Sequence, residues 1–318
     1  MPRLRPRFLA SVVGLAALVA AASAGGHVPD LGPNASLHGK RVFAPDDPWN
    51  RAIDKEPIDP DSAKLIASIG EAKPLHPDFG AAWNGGPFGI PYVLVSSKQP
   101  RVAVRFTGYP DESDPGPYPI PPDAPIEGGA ASDGDRHVLV LDRDAWKLYE
   151  LWHGAPDGKG WKAANGAVFD LASGKPRPLG WTSADAAGLP IFPGLVRYDE
   201  VVEQKAILHA VRFTCRRSRR AFVPPARHHA GAASDAALPP MGMRVRLKAT
   251  FDVSKLPEAA RVIATCLKTY GMILADNGGD WFVSGAPDAR WNDGELGALK
   301  QLKGSDFEVV KMVGLVAR

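Results

Sequence analysis

The sequence predicts an α+β protein made mainly of β-strands, and three observations support that prediction. The 33 Gly and 31 Pro residues, 64 of 318 in all, interrupt the chain too often for a helical bundle and suit short strands joined by turns. Short alternating apolar segments dominate from residue 80 to 250, and residues 241–318 add helix-period segments. We therefore expect an antiparallel β-sandwich-like body followed by a C-terminal α+β portion.

Residues 1–24 have the pattern of an export signal. A basic region ends at Arg7, an apolar run spans Phe8 to Ala22, and a small-residue cleavage pattern ends at Ala24. Because the run is shorter than the ~20 apolar residues that cross a bilayer, we expect cleavage after Ala24 rather than a membrane anchor. The expected protein is secreted or periplasmic, with no membrane span after signal cleavage.

The charge balance argues against a nucleic-acid partner. The chain has 38 Lys and Arg residues against 35 Asp and Glu, and three of the Arg residues lie in the signal. The remainder therefore carries 35 of each sign, and its only dense basic run, residues 216–220, is interpreted as an exposed turn. A neutral chain without a sustained basic face predicts no nucleic acid binding.

The first part of the chain divides into a flexible polar lead-in, 25–42, and a β-rich main domain, 43–240. A short helix is predicted after Asp59, with an apolar stripe at Leu65, Ile66 and Ile69 and an end at Gly70. The predicted strands of the main domain are Tyr92 to Val95, Val102 to Phe106, His137 to Leu141, Leu148 to Trp152, Ile207 to Thr214, and Phe222 to Val223.

A proline-rich segment, 109–126, separates two of these strands. Pro occupies seven of its 18 positions, which excludes a helix or a central strand. A long, stiff loop of this kind is expected to pack on the surface or to line a site.

The C-terminal portion, 241–318, predicts the order β-α-β-β-α-β, which is the order of ferredoxin-like folds. Alternatively, its helices cap the edge of one larger sheet. Its predicted elements are a strand Val245 to Phe251, a helix Lys255 to Tyr270, two strands flanking the turn 276–279, a helix from near Asn292 to Gly304, and a strand Phe307 to Val313.

The best candidate site is the hairpin of residues 134–154. If Leu141 pairs with Leu148, alternation places His137, Glu150 and Trp152 on one face of the sheet. A carboxylate against an indole can have a raised pKa and act as a general acid. We therefore predict Glu150, His137 and Asp135 as catalytic residues and Trp152 as a platform for a sugar ring. The alternative is a solvated sheet face.

Other candidate ligand contacts lie outside the hairpin. Tyr109 is the first residue of the proline-rich segment, Trp281 follows a Gly-rich turn with nearby acids, and His228 lies in a loop after two prolines. Arg212 is a further candidate, and its strand neighbour His209 is read as either a core histidine or a polar contact. Acids with aromatic platforms are the combination that glycosidic cleavage needs, although acids in turns are usually solvated caps.

The two cysteines, Cys215 and Cys266, are a candidate disulfide, because an exported protein permits one. Two buried thiols are the alternative. Two Cys residues exclude a disulfide-rich scaffold and a four-cysteine zinc site. The chain also lacks a P-loop, a nucleophile elbow, an H-E-x-x-H motif and a dinucleotide fingerprint.

Three functional hypotheses remain. The first is an exported carbohydrate-active enzyme, a polysaccharide hydrolase or lyase that needs no cofactor. The second is a non-catalytic extracellular or envelope protein that binds polysaccharide or another small polar ligand through the same aromatic surface. The third is a metal-dependent hydrolase built on Asp135, His137, His209 and His228.

Overall fold

The computed structural model describes residues 27–317 and shows an α+β protein in which strands predominate, as predicted. The export signal, 1–24, lies outside the described residues. The strands are β1 (Gly32–Pro33), β2 (His76–Asp78), β3 (Gly80–Trp83), β4 (Gly86–Phe88), β5 (Tyr92–Val95), β6 (Val104–Phe106), β7 (Val138–Asp142), β8 (Lys147–Trp152), β9 (Ala155–Asp157), β10 (Gly160–Ala163), β11 (Asn165–Asp170), β12 (Val211–Cys215), β13 (Ala221–Phe222), β14 (Arg244–Leu247), β15 (Met272–Asn277), β16 (Phe282–Ser284), β17 (Phe307–Val309) and β18 (Val316–Ala317).

The α-helices are α1 (Ser62–Ile69), α2 (Glu258–Thr269) and α3 (Asp293–Gly297). Helix α2 buries Ile263, Cys266 and Leu267, the apolar face that its periodicity predicts. Gly271 follows its C-terminal cap, Tyr270, and has a φ of +67°, which suits glycine just after a helix. Short 3₁₀ turns extend α3 and precede β17, and a π-helical turn spans Asp199–Glu203.

One large sheet contains the predicted hairpin. Its strand order is β1-β5-β7-β8-β11, with β5 and β7 parallel and the other neighbours antiparallel. Leu141 pairs with Leu148 and Leu139 pairs with Glu150, which is the predicted register. The lead-in also takes part, because β1 pairs with β5 and Leu37 lies in the core.

The other large sheet has six strands in the order β17-β14-β15-β12-β16-β2. It mixes parallel pairs, β12 with β15 and β16 with β2, with antiparallel ones. Strands from 43–240 and from 241–318 therefore share one sheet. The C-terminal elements follow the predicted order along the chain, but β12 lies between β15 and β16, so this strand order does not establish a ferredoxin-like arrangement in space.

The core consists of two apolar clusters on opposite faces of the hairpin sheet. Leu139, Leu141 and Leu148 belong to a large cluster that also includes residues of the six-stranded sheet and α2. Val138 and Tyr149 face a smaller cluster that is covered by Tyr118 and Ile120 of the proline-rich segment. The proline-rich segment thus packs on the sheet, and both faces of the hairpin are largely buried.

The disulfide prediction is wrong, because both cysteines are free buried thiols. The Sγ of Cys215 lies 3.3 Å from the carbonyl oxygen of Arg217, and the Sγ of Cys266 lies 3.1 Å from that of His209. Each thiol therefore has its own backbone acceptor. Within residues 27–317, the structure contains no helix that is long and apolar enough to cross a membrane.

Candidate functional site

One face of the six-stranded sheet carries a group of side chains across four strands, most of them polar. In the β-ladder, Asp276 pairs with Thr214, Thr214 pairs with Phe282, and Phe282 pairs with His76. Paired residues point to the same side of a sheet, so these side chains share a face. The next row on that face contains Arg212, Ser284 and Asp78. We call this surface the polar face.

A buried ion pair fixes the centre of the polar face. The guanidinium of Arg212 donates from Nε to Oδ2 of Asp185 at 3.0 Å and from Nη2 to Oδ1 at 2.8 Å, and it also donates to Oγ of Ser284. Asp185 has no solvent exposure and the Arg212 side chain is 5% exposed. Although burial lowers the pKa of Arg212, the charge of Asp185 and their hydrogen bond raise it above its usual value, so Arg212 stays charged.

The loop of residues 183–192 carries Asp185 to this position. Its turn is closed by Ser183, whose Oγ accepts from the Asp185 N–H at 2.9 Å, and by Gly188, whose N–H donates to the Asp185 carbonyl at 3.0 Å. Gly188 has a φ of +69°, which favours glycine. The loop is thus held by hydrogen bonds among its own residues and presents one carboxylate to the sheet.

His137 joins the site from the start of β7. Its Nδ1 lies 2.6 Å from Oε2 of Glu127, and its Nε2 lies 3.1 Å from the carbonyl oxygen of Ala184. Burial lowers the pKa of His137, but the charge and hydrogen bond of Glu127 outweigh it and raise the pKa to about 9. Burial raises and His137 lowers the pKa of Glu127, with a net lowering. Near neutral pH, His137 is therefore a cation and Glu127 an anion.

Glu150 is buried, and its carboxylate accepts hydrogen bonds from backbone N–H groups. Its carboxylate accepts from the N–H of Ile191 at 3.0 Å and from the N–H of Phe192 at 2.9 Å, and it is fully shielded from solvent. Burial raises the pKa of Glu150 to about 7, against the opposing effect of these hydrogen bonds. Both hydrogen bonds anchor the end of the 183–192 loop. The Glu150 carboxylate is thus bonded to this loop, whereas the Trp152 indole donates to Asp135.

Three partly exposed carboxylates surround the buried groups. They are Asp276 and Asp78 on the polar face, and Glu127 from the end of the proline-rich segment. Burial, followed by the charge of Asp185, raises the pKa of Asp276 to about 7. Burial, followed by the charge of Glu127, raises the pKa of Asp78. The site therefore combines carboxyl groups whose pKa values are shifted in opposite directions, as acid and base partners require.

Two of the predicted aromatic ligand contacts, Trp152 and Tyr109, lie together with Asp135. Trp152 donates from Nε1 to Oδ1 of Asp135 at 3.1 Å, and the ring of Tyr109 lies 6.1 Å from the Trp152 ring. These three residues form a partly exposed surface cluster. Asp135 also contributes to the raised pKa of His137. The cluster thus adjoins the site on the hairpin side.

Two further candidate residues have structural roles: His228 supports the loop that carries Asp185, and Trp281 lies in the core. The Nδ1 of His228 lies 2.9 Å from the carbonyl oxygen of Ala186, so His228 supports the loop that carries Asp185. Trp281 is fully buried, with its ring stacked between Phe213 at 5.8 Å and Phe307 at 5.4 Å. Its φ of +61° turns the chain just before β16, which places the indole in the core rather than in a ligand site. Substrate binding by Trp281 is therefore not supported.

The four residues of the metal hypothesis do not meet. Both ring nitrogens of His137 already face polar partners, and His209 lies in a separate buried pair with Glu200 at 3.1 Å. Across residues 27–317, the structure contains no cluster of three or more His, Cys, Asp or Glu side chains that could hold a metal ion.

Sequence reasoning missed Asp78 and gave no central role to Asp185, Glu127 or Asp276. Asp185 lies in a Gly- and Pro-rich segment that contains no known catalytic motif. Comparison with known proteins adds nothing here, because no family model, no curated protein and no solved structure matches this chain.

Proposed function

We propose that this protein is a carbohydrate-active enzyme that cleaves a polysaccharide at the polar face. The observation that carries the proposal is the group of partly exposed carboxylates around buried Arg212 and His137. Glycosidic cleavage needs one carboxylic acid and one carboxylate on either side of the scissile bond. The raised pKa of Asp276 and the lowered pKa of Glu127 support the assignment of the acid role to Asp276 and the carboxylate role to Glu127.

In this proposal Asp276 is the general acid. A carboxyl group with a pKa of about 7 is still protonated in mildly acidic solution and can donate its proton to the leaving glycosidic oxygen. Glu127 is ionised under the same conditions and acts as the base that takes a proton from the attacking water, or as the nucleophile. His137, bonded to Glu127, positions that carboxylate. The products are two shorter saccharides and no redox step is involved.

Arg212 and Asp185 are assigned a positioning role. Their two hydrogen bonds fix the loop against the sheet, and the charge of Asp185 acts on the pKa of Asp276. Glu150 supports the same loop from the hairpin sheet. In this proposal Asp276 and Glu127 act on the substrate. The buried groups hold the loop in place and influence the pKa of Asp276.

The site of action follows from the N-terminal sequence. We propose that the protein is exported and cleaved after Ala24, so that its substrate is extracellular or periplasmic. N-terminal sequencing of protein recovered outside the cytoplasm tests this; an intact N-terminus on protein retained in the cytoplasm contradicts it.

The enzyme proposal is tested by incubating the purified protein with a panel of polysaccharides and measuring new reducing ends. We expect cleavage by the wild type and by Asp123→Asn, a control that alters an exposed acid outside the site. We expect a loss of 10²- to 10⁴-fold in Asp276→Asn, the range for removal of a general acid. Equal rates in Asp276→Asn and wild type overturn the assignment of Asp276, and no cleavage of any polysaccharide overturns the proposal.

A further inference from the structure

A groove opens beside the polar face at the edge of the six-stranded sheet. Its volume is about 540 Å³, within the usual range of ligand sites. Asp78 belongs both to the polar face and to the lining of this groove. A ligand in the groove therefore contacts one carboxylate of the site, that of Asp78, directly.

The floor and one wall of the groove are aromatic. The rings of His76 and Phe282 stack with their centroids 4.0 Å apart on the floor. The hairpin of β3 and β4 supplies Trp83 and Phe88, whose ring centroids are 6.0 Å apart. Trp83 is 66% exposed, so most of its surface is not packed against the protein. A large exposed indole at the mouth of a groove is an available surface for ring stacking.

The charges that line the groove disfavour an acidic ligand. Two carboxylates, Asp78 and Asp293, face one ammonium group, Lys300. Asp293 also accepts from the Ala81 N–H at 2.8 Å, so it helps to hold the hairpin. The neighbouring polar face adds further carboxylates, and a saccharide that carries acidic groups would meet like charge there.

We infer that this groove binds the pyranose rings of a neutral polysaccharide, with Trp83 as the main stacking platform. The apolar faces of pyranose rings suit the indole and phenyl rings, and the carboxylates at either end accept hydrogen bonds from hydroxyl groups. This inference rests on the proposed function in one respect. A polysaccharide in the groove passes Asp78, and the proposed function is the reason to expect it to continue along the polar face to Asp276.

The test measures binding and cleavage separately. Isothermal titration with cellohexaose, laminarihexaose, xylohexaose and mannohexaose gives affinity, and hexagalacturonate serves as the acidic comparison. We expect the wild type to bind at least one neutral hexasaccharide more tightly than hexagalacturonate. Trp83→Ala should weaken that binding at least about tenfold, and Trp83→Phe should restore part of it.

The controls exclude loss of folding as the cause. Trp83 is largely exposed, so Trp83→Ala should keep the wild-type unfolding midpoint. Leu179→Ala removes another exposed apolar side chain, 52% exposed and outside the groove, and should bind like the wild type. Asp276→Asn should keep the affinity while losing cleavage.

These outcomes separate the two proposals. Binding lost in Trp83→Ala, with no cleavage by any variant, supports the groove and overturns the enzyme. Cleavage with an unchanged KM in Trp83→Ala supports the enzyme and overturns the groove. Failure of the wild type to bind any neutral hexasaccharide, or tighter binding of hexagalacturonate, also overturns the groove.

Discussion

Arg212 and Asp185 are joined by two parallel hydrogen bonds of 3.0 and 2.8 Å at a point where residues from both large sheets meet. The guanidinium comes from β12, and the carboxylate comes from a loop whose far end is bound by Glu150 of β8. The pair therefore ties the six-stranded sheet to the hairpin sheet through one loop. Two-point contact fixes orientation as well as distance, which is the property a positioning pair requires.

Removal of one member of this pair should be strongly destabilising. Asp185→Asn leaves the buried Arg212 charge without its partner, and such changes cost about 3–5 kcal/mol of unfolding free energy. Urea denaturation measures the loss. The matched control is Glu258→Gln, which breaks the exposed Lys205–Glu258 pair and should change stability by less than about 1 kcal/mol. Equal effects of the two substitutions would show that the buried pair has no special role.

Glu150→Gln should affect folding rather than chemistry. Both carboxylate oxygens face backbone N–H groups, whereas a glutamine side chain turns its own NH₂ donor towards one of them. A buried donor without an acceptor costs about 1–3 kcal/mol, and we expect a loss in that range by urea denaturation. The folded variant should keep its kcat. A loss of kcat comparable with that of Asp276→Asn would instead restore Glu150 as a reacting group.

The sequence predicts the local structure around this site, but it does not predict which residues come together to form the site. Alternation around Leu141 and Leu148 gave the correct hairpin register, because side-chain period and turn length fix it. Alternation alone could not show that the large apolar cluster covers the face of Leu139 and buries Glu150. The burial of Glu150 depends on which other elements pack against the hairpin sheet. The alternating pattern of a hairpin contains no information about those elements.

The remaining site residues come from distant parts of the chain. Asp78 and Asp276 are almost 200 positions apart, and they share a face only because β2, β16, β12 and β15 are neighbours in that order. Two of these strand pairs, β12 with β15 and β16 with β2, are parallel. Parallel strands are not joined by a hairpin turn, so no turn in the sequence indicates that they pair. The order of strands in a sheet is a tertiary property, so the sequence does not show that these two acids share one site.

The proposed general acid predicts a specific pH profile. Asp276 must be protonated to donate, so kcat/KM should fall about tenfold per unit as the pH rises above 7. Glu127 must be ionised, and its lowered pKa keeps the acid limb below the usual range of a glutamate. Initial rates measured between pH 4 and pH 9 test both limbs. The same alkaline limb should persist in Glu150→Gln, and its disappearance there would assign the limb to Glu150.

The Glu127–His137 pair predicts how stability changes with pH. The folded pKa of His137, about 9, lies above its unfolded value of about 6.5, so the folded state keeps a proton that the unfolded state loses between these values. The pair's contribution is therefore complete below pH 6.5 and is lost as the pH rises through 9. Glu127→Gln should cost about 2 kcal/mol at pH 6, because His137 is buried and Glu127 is only a quarter exposed.

The difference in unfolding free energy between wild type and Glu127→Gln should thus shrink between pH 6 and pH 9.5. Chemical denaturation at both pH values measures it. Asp30→Asn is the control, because it breaks a His–Asp pair of 2.9 Å that lies exposed at the surface, and it should change stability little at either pH. If the cost of Glu127→Gln is the same at both pH values, His137 is not held as a cation by Glu127, and the protonation states assigned to the site are wrong.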